Sequence, residues 1–109
     1  MRKNLKAMAF VYILYSKTAN KYYIGSCEDL EIRLKQHSEK VFPGSFTWFY
    51  DDLELFYSMG ELNYQQARKI EIHIKKMKSK KYLNDIAKYP DIINKLKDKY
   101  PKWFMRRFM

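Results

Sequence analysis

The chain has 109 residues, 47% of them hydrophobic and 17% aromatic, with three glycines, three prolines and a single cysteine. That composition fits one compact domain with its own core, and it excludes a disordered chain, a solenoid of repeats and an internally disulfide-bonded scaffold. Net charge is +10 with pI near 9.6, and its placement is uneven: residues 1–61 hold eight Lys/Arg and eight Asp/Glu, residues 62–109 fourteen Lys/Arg against four Asp/Glu.

The whole positive excess therefore sits in the second part, which suggests a polyanionic partner, nucleic acid or an acidic membrane surface, with a solvated charged face as the plain alternative. At the N-terminus, basic residues precede nine apolar ones, Ala7 to Tyr15, in the manner of a short signal peptide. The run is rich in aromatics, lacks a small-residue cleavage site after it and is too short to cross a bilayer, so it reads as a buried strand.

Residues 8–16, MAFVYILYS, are apolar at both alternating positions, which predicts a central strand covered on both faces. Lys17 to Lys21 forms a polar turn into a second, antiparallel strand over Tyr22–Ser26, where Gly25 allows close approach of the next element. A helix over Leu30–Ser38 follows, with Asp29 or Ser26 as cap and Leu30 and Leu34 facing the core. Residues 39–50 read as a loop around Pro43-Gly44, and Leu53–Met59 as a third strand. Gly60 to Asn63 turns into a helix from Tyr64 to Met77 or Lys78, capped by Asn63. Beyond Ser79 the chain stays helical, with Pro90 in the first turn of a last helix whose Ile92, Ile93, Leu96 and Tyr100 sit at core spacing while Lys95, Lys97 and Lys99 face out. The tail, Pro101 to Met109, alternates aromatic and basic residues.

Chemistry concentrates in two helices. Ala67, Ile70, Ile74 and Met77 form a buried stripe, and Glu71 falls inside it. A carboxylate there has to be paired, protonated or bound to a cation, and Arg33 is the obvious structural partner. Arg33 and His37, four apart on the first helix, share a face with Leu30 and Leu34 and turn toward the strands that carry Tyr12 and Tyr23. Two tyrosines, an arginine, a histidine and one carboxylate can thus converge at the edge of a small sheet. A single hard carboxylate suits Mg2+ or Mn2+, completed by water and phosphate oxygens; no Cys/His spacing supports zinc. His73 lies off the stripe and reads as surface, and Cys27 as inert, in keeping with a reducing cytoplasm.

Phe10-Val11-Tyr12, Tyr23-Ile24-Gly25, Arg33, His37 and Glu71, in this order and on these element types, resemble the GIY-YIG nuclease superfamily, and more closely its small, stand-alone bacterial members. The resemblance covers roughly residues 8–84. The second half of the name motif is intact; in the first, Phe10 replaces glycine while Tyr12 is kept, and small members often carry a Val-Tyr-Ile-Leu run there. Asn84 is the nearest candidate for the family's trailing polar residue.

The resemblance implies an α/β (α+β) fold, a three-stranded antiparallel sheet flanked by helices, over residues 1–84, with residues 85–109 as a basic helical extension packed on or continuing the same domain. It implies a divalent-metal-dependent endonuclease acting on DNA, branched or single-stranded forms included, structure-selective or weakly sequence-specific, in a bacterial cytosol or nucleoid and serving repair or recombination. Glu71 would hold one Mg2+ or Mn2+, Arg33 would stabilise charge on the phosphorane, Tyr12 would orient or deprotonate the water with Tyr23 or His37 assisting, and Gly25 would let the first helix pack on the hairpin. Arg68, Lys69, Lys75, Lys76, Lys78, Lys80, Lys81, Arg106 and Arg107 form the expected nucleic-acid surface, with Trp103, Phe104 and Phe108 adding stacking. No membrane contact is expected, and the sequence designates no protein partner. The rival readings are a nucleic-acid-binding module with an inactive site, and a structural domain whose tail docks on another protein or a membrane.

Overall fold

The computed structural model describes residues 8–40 and 49–101. The Pro43-Gly44 turn and the tail residues Trp103, Phe104, Arg106, Arg107 and Phe108 lie outside the described residues. Seven elements follow in order: β1 (Ala9–Ser16), β2 (Lys21–Cys27), α1 (Leu30–Ser38), β3 (Leu53–Leu62), α2 (Tyr64–Met77), α3 (Lys80–Lys88) and α4 (Pro90–Lys99). The strands form one antiparallel sheet in the order β2-β1-β3, with Tyr12 opposite Gly25 on one side and Ser58 on the other.

β1 is central, and both of its faces are buried, which is why its sequence does not alternate. Ala9, Val11 and Ile13 point into a core closed by Met59 and Leu62 of β3, Ala67, Ile70 and Ile74 of α2, Leu83 and Ile86 of α3, and Ile93 and Leu96 of α4. Tyr12 and Leu14 point the other way, with Cys27, and α1 covers them through Leu30 and Leu34. The sheet therefore separates α1 from α2, α3 and α4. Residues 85–99 supply three of the core side chains, so α4 is part of the packing and not an appendage.

Local chemistry sets the helix starts. Asp29 accepts from the Ile32 amide to cap α1, Asn63 and Gln66 form a reciprocal capping box on α2, and Ser79 accepts from the Tyr82 amide on α3. Proline opens α4, where a missing N–H goes unused.

Two sequence expectations are corrected. β3 does not stop at Met59: Gly60, Glu61 and Leu62 stay in the strand, because a register shift opposite Ala9–Val11 absorbs the extra residue, with Glu61 at φ 59°. Gly60 is required there, since a Cβ would come within 2.8 Å of the Phe10 ring. Met77 is 45% exposed, at the end of α2 where the buried stripe has already run out.

The β1–β2 turn is held by a residue from elsewhere in the sequence. Asp52, just before β3, accepts from the Ser16 hydroxyl and from the Thr18 amide, each at 2.8 Å. Those bonds, led by the Thr18 amide, push its carboxyl down to about 2. A folded pKa below the ordinary 3.8 means that its contribution is complete above 3.8 and is lost as pH falls through about 2. Asp52→Asn is expected to speed amide exchange at Thr18 and Ala19 at neutral pH, and unchanged exchange there would remove Asp52 from this role.

Candidate active site

Strand alternation decides which side chains of β2 meet which helix. Tyr23, Gly25 and Cys27 face α1, whereas Ile24 and Ser26 face α2. Because β2 is an edge strand, groups from both faces can meet around it near Gly25-Ser26. They do so in an open cleft of about 600 Å³, lined by Tyr12, Tyr23 and Gly25 from the sheet, Arg33 from α1, and Arg68 and Glu71 from α2.

Glu71 comes from the α2 side. Its side chain is 4% exposed, yet both carboxylate oxygens are engaged: Arg68 Nη1 lies 2.9 Å from Oε1 and Lys75 Nζ 2.7 Å from Oε2. The Ser26 hydroxyl donates to Oε1 at 2.6 Å. Burial alone would raise its pKa; the Lys75 and Ser26 hydrogen bonds, with the charges of Lys75 and Arg68, outweigh that and hold the carboxyl below its ordinary value. Glu71 is therefore an ion-paired anion on a core-facing stripe, one of the three outcomes that its position in the sequence allows. Its cations are not the expected one, however. They come from its own helix, at i−3 and i+4, spacings at which helix side chains meet, while Arg33 donates to the Ser26 carbonyl at 3.3 Å. Ser26 thus touches the two sides at once, by its hydroxyl and by its carbonyl.

On the α1 side, Tyr12 is fully buried and its hydroxyl lies 2.8 Å from His37 Nε2. Tyr23 stands edge-on to the His37 ring at 5.3 Å and tilted to Tyr12 at 6.2 Å. Burial pushes the Tyr12 phenol well above its ordinary pKa, and the Arg33 guanidinium draws it back only in part. Burial, followed by the Arg33 charge, pushes His37 down. At neutral pH the phenol is protonated and the imidazole neutral, so the tautomer of His37 decides which of the two donates. Four of the five expected catalytic side chains line the cleft; His37 stands behind Tyr12 and reaches the cleft through it.

Gly25 makes room for the tyrosine opposite it: a Cβ there would lie 2.5 Å from Tyr12 Oη and 2.6 Å from Cζ. The glycine is the space in which the phenol lies. His73 is also half-buried rather than surface, bonded to the Tyr100 hydroxyl at 3.2 Å where α2 meets α4. Asn84 donates to the Tyr22 hydroxyl and does not line the cleft. Of the expected basic surface, Arg68 lines the cleft and Lys75 pairs with Glu71, while Lys69, Lys76 and Lys81 do not line it and Lys81 is paired with Asp85.

The sequence reading offers Ser26 only as an alternative cap of α1, a place that Asp29 takes, although period-two alternation from Ile24 places it toward α2. The donor set at Glu71, an ionised carboxylate beside a hydroxyl, suits a hard divalent cation, and the half-exposed Arg68 and Lys75 can turn out to water to admit one. Among the described residues no three of His, Cys, Asp and Glu come together as metal ligands. Such a cation would draw most of its shell from water and substrate. No helix among the described residues is long and apolar enough to cross a membrane.

His37 links the site to pH. Its folded pKa lies below the unfolded 6.5, so the fold is fully supported above 6.5 and loses that contribution as pH falls through the lower folded value. His37→Gln is expected to flatten the pH dependence of the melting temperature below 6.5; a slope there equal to the wild type's would mean that another group sets it.

A family model described as the GIY-YIG catalytic domain matches residues 8–84. No curated protein and no solved structure matches the chain.

Proposed function

The chain belongs to the GIY-YIG family, a nuclease-type fold, and from that membership we propose that it is a divalent-metal-dependent endonuclease that hydrolyses phosphodiester bonds in DNA, selecting structure more than sequence. Residues 1–84 would form the nuclease domain, with residues 85–109 a basic extension continuing its core. The observation that carries the reading is the meeting of Glu71, Arg33 and Tyr12, from three elements and both faces of the sheet, in one cleft.

Hydrolysis requires a water oxygen to bond to phosphorus as the ester oxygen leaves, with one proton removed from the water and one taken up from solvent by the departing oxygen. Glu71 would hold Mg2+ or Mn2+, which when bound supplies Lewis-acid charge at the phosphate. Arg33 presents a planar fork of donors into the cleft, suited to the non-bridging oxygens as their charge grows. Tyr12 is too weak an acid to serve alone as a phenolate base. In the tautomer with Nε2 unprotonated, neutral His37 would take the phenol proton as Tyr12 takes the proton of the water. Tyr23, beside both rings, limits their rotation.

The test is cleavage of labelled single-stranded, duplex, flapped and branched DNAs, with matching RNAs, in magnesium, manganese or chelator. Cutting of at least one DNA form in metal and of none in chelator is expected. Binding without cutting in any condition would replace the nuclease with a binding module on an inactive site, and cutting in chelator would remove the metal from the mechanism.

A further inference from the structure

A second cleft, of about 280 Å³, lies on the α2 side of β2 where α2 turns into α3. Four lysines, Lys21, Lys75, Lys78 and Lys80, rim it over a floor that includes Tyr22 and Ile74. Its lining contains no carboxylate, whereas the first cleft is lined by Glu28, Asp29 and Glu71 beside its two arginines. The two sites differ in kind: the first accepts a phosphate best once a divalent cation offsets its carboxylates, and the second can accept one directly.

The second cleft is also held in shape. Lys80 Nζ donates to the Asn20 carbonyl at 2.7 Å, fastening the start of α3 to the β1–β2 turn, and Asn84 bonds the Tyr22 hydroxyl of the floor. Lys75 belongs to both sites, lining the second cleft while its ammonium lies on Glu71. From Tyr22 to Ser26 along β2 is about 13 Å at roughly 3.3 Å per residue, too far for both clefts to hold the same phosphate.

We propose that the second cleft is a subsite for a flanking phosphodiester of the strand whose scissile bond lies at Glu71, so that the substrate backbone follows the outer edge of β2 from Ser26 toward Lys21; this rests on the nuclease reading. A phosphate held there competes with Glu71 for the Lys75 ammonium and thereby loosens one of the two cations that occupy the carboxylate.

The experiment is a lysine-acetylation footprint read by mass spectrometry, on the full chain in metal-free buffer, with and without saturating oligothymidylate. Modification is expected to be suppressed at Lys21 and Lys78 and unchanged at Lys88 and Lys95, which lie on α3 and α4 away from the cleft. Even protection of all four, or protection of none, overturns the subsite. A Lys21→Gln/Lys78→Gln variant, checked to melt with the wild type, should flatten the dependence of log Kd on log salt by about 0.7, the change for one phosphate that is no longer neutralised. An unchanged slope overturns the proposal as well. Neither readout needs cleavage, so a chain that shows the footprint and cuts nothing loses the nuclease reading and keeps the subsite, whereas cutting with an even footprint does the reverse.

Discussion

Glu71→Gln is expected to lower cleavage by at least about a hundredfold, the upper range for disturbing a metal site through an outer partner, while nucleic-acid binding stays at the wild-type level or rises. Glutamine keeps the shape and its Oε1 can still accept from the Ser26 hydroxyl, while its amide nitrogen replaces the oxygen that accepted from Lys75. What disappears is the negative charge. Lys75 and Arg68, both about half exposed, then turn to water or to substrate, and the buried amide donor left without a partner costs about 1–3 kcal/mol of stability. The release of Lys75 adds a cation to the phosphate-facing surface, which is why affinity should not fall.

The acid limb checks the same residue independently. Glu71 titrates below its ordinary 4.5 in the folded chain, so its contribution is complete above 4.5 and is lost as pH falls through the lower folded value. The variant should melt with a shallower pH slope below 4.5. Retained cleavage by Glu71→Gln would remove Glu71 from metal binding, whatever the pH profile did.

The sequence disclosed more of the elements than of their contacts, for physical reasons that differ from place to place. Helix bounds were legible where a cap sits beside its helix: Asp29 and Asn63 act within three residues of themselves, and α1 and α2 begin where those residues predict. β1 was legible because burial on both faces leaves an unbroken apolar run. The end of β3 was not, since Gly60 looks like a turn and is in fact the place where a register shift and the Phe10 ring need a residue without a Cβ. Asp52 could not be foreseen as the clamp of the β1–β2 turn, because its partners lie 34 and 36 residues away.

The same distinction applies within the site. Glu71 stood out because an ionisable group on an apolar stripe demands an explanation, and the structure supplies one. Which cation pairs with it depended on geometry that helix spacing allowed in two ways: Arg33 across the sheet edge, or Arg68 and Lys75 along α2. The intrahelical pairs form because they need no long-range positioning of both partners. Ser26 and Gly25 are small residues with little signal of their own. Ser26 matters because β2 is an edge, where one residue can contact both layers of the fold, and Gly25 because the absence of a side chain leaves the space in which the Tyr12 phenol lies.

Gly25→Ala tests that last point and is expected to damage catalysis more than folding. The added methyl would lie 2.5 Å from the Tyr12 hydroxyl and 2.6 Å from Cζ, well inside van der Waals contact. Tyr12 is fully buried, bonded to His37 and flanked by Tyr23, so a shift of its ring disturbs those neighbours as well. Overpacking of this kind costs about 1–3 kcal/mol of stability. A displacement of about 1 Å at a reacting group can cost about a hundredfold in rate, and here it also disturbs the hydrogen bond between the phenol and His37. Gly60→Ala is the matched control, because it presses on Phe10 at 2.8 Å and on no residue of the cleft, and should lower the melting temperature with little change in kcat. Equal loss of kcat in the two variants would mean that general loosening of the sheet, and not the position of Tyr12, limits the reaction. Loss confined to Gly25→Ala would tie the glycine of the Tyr23-Ile24-Gly25 motif to the phenol it accommodates.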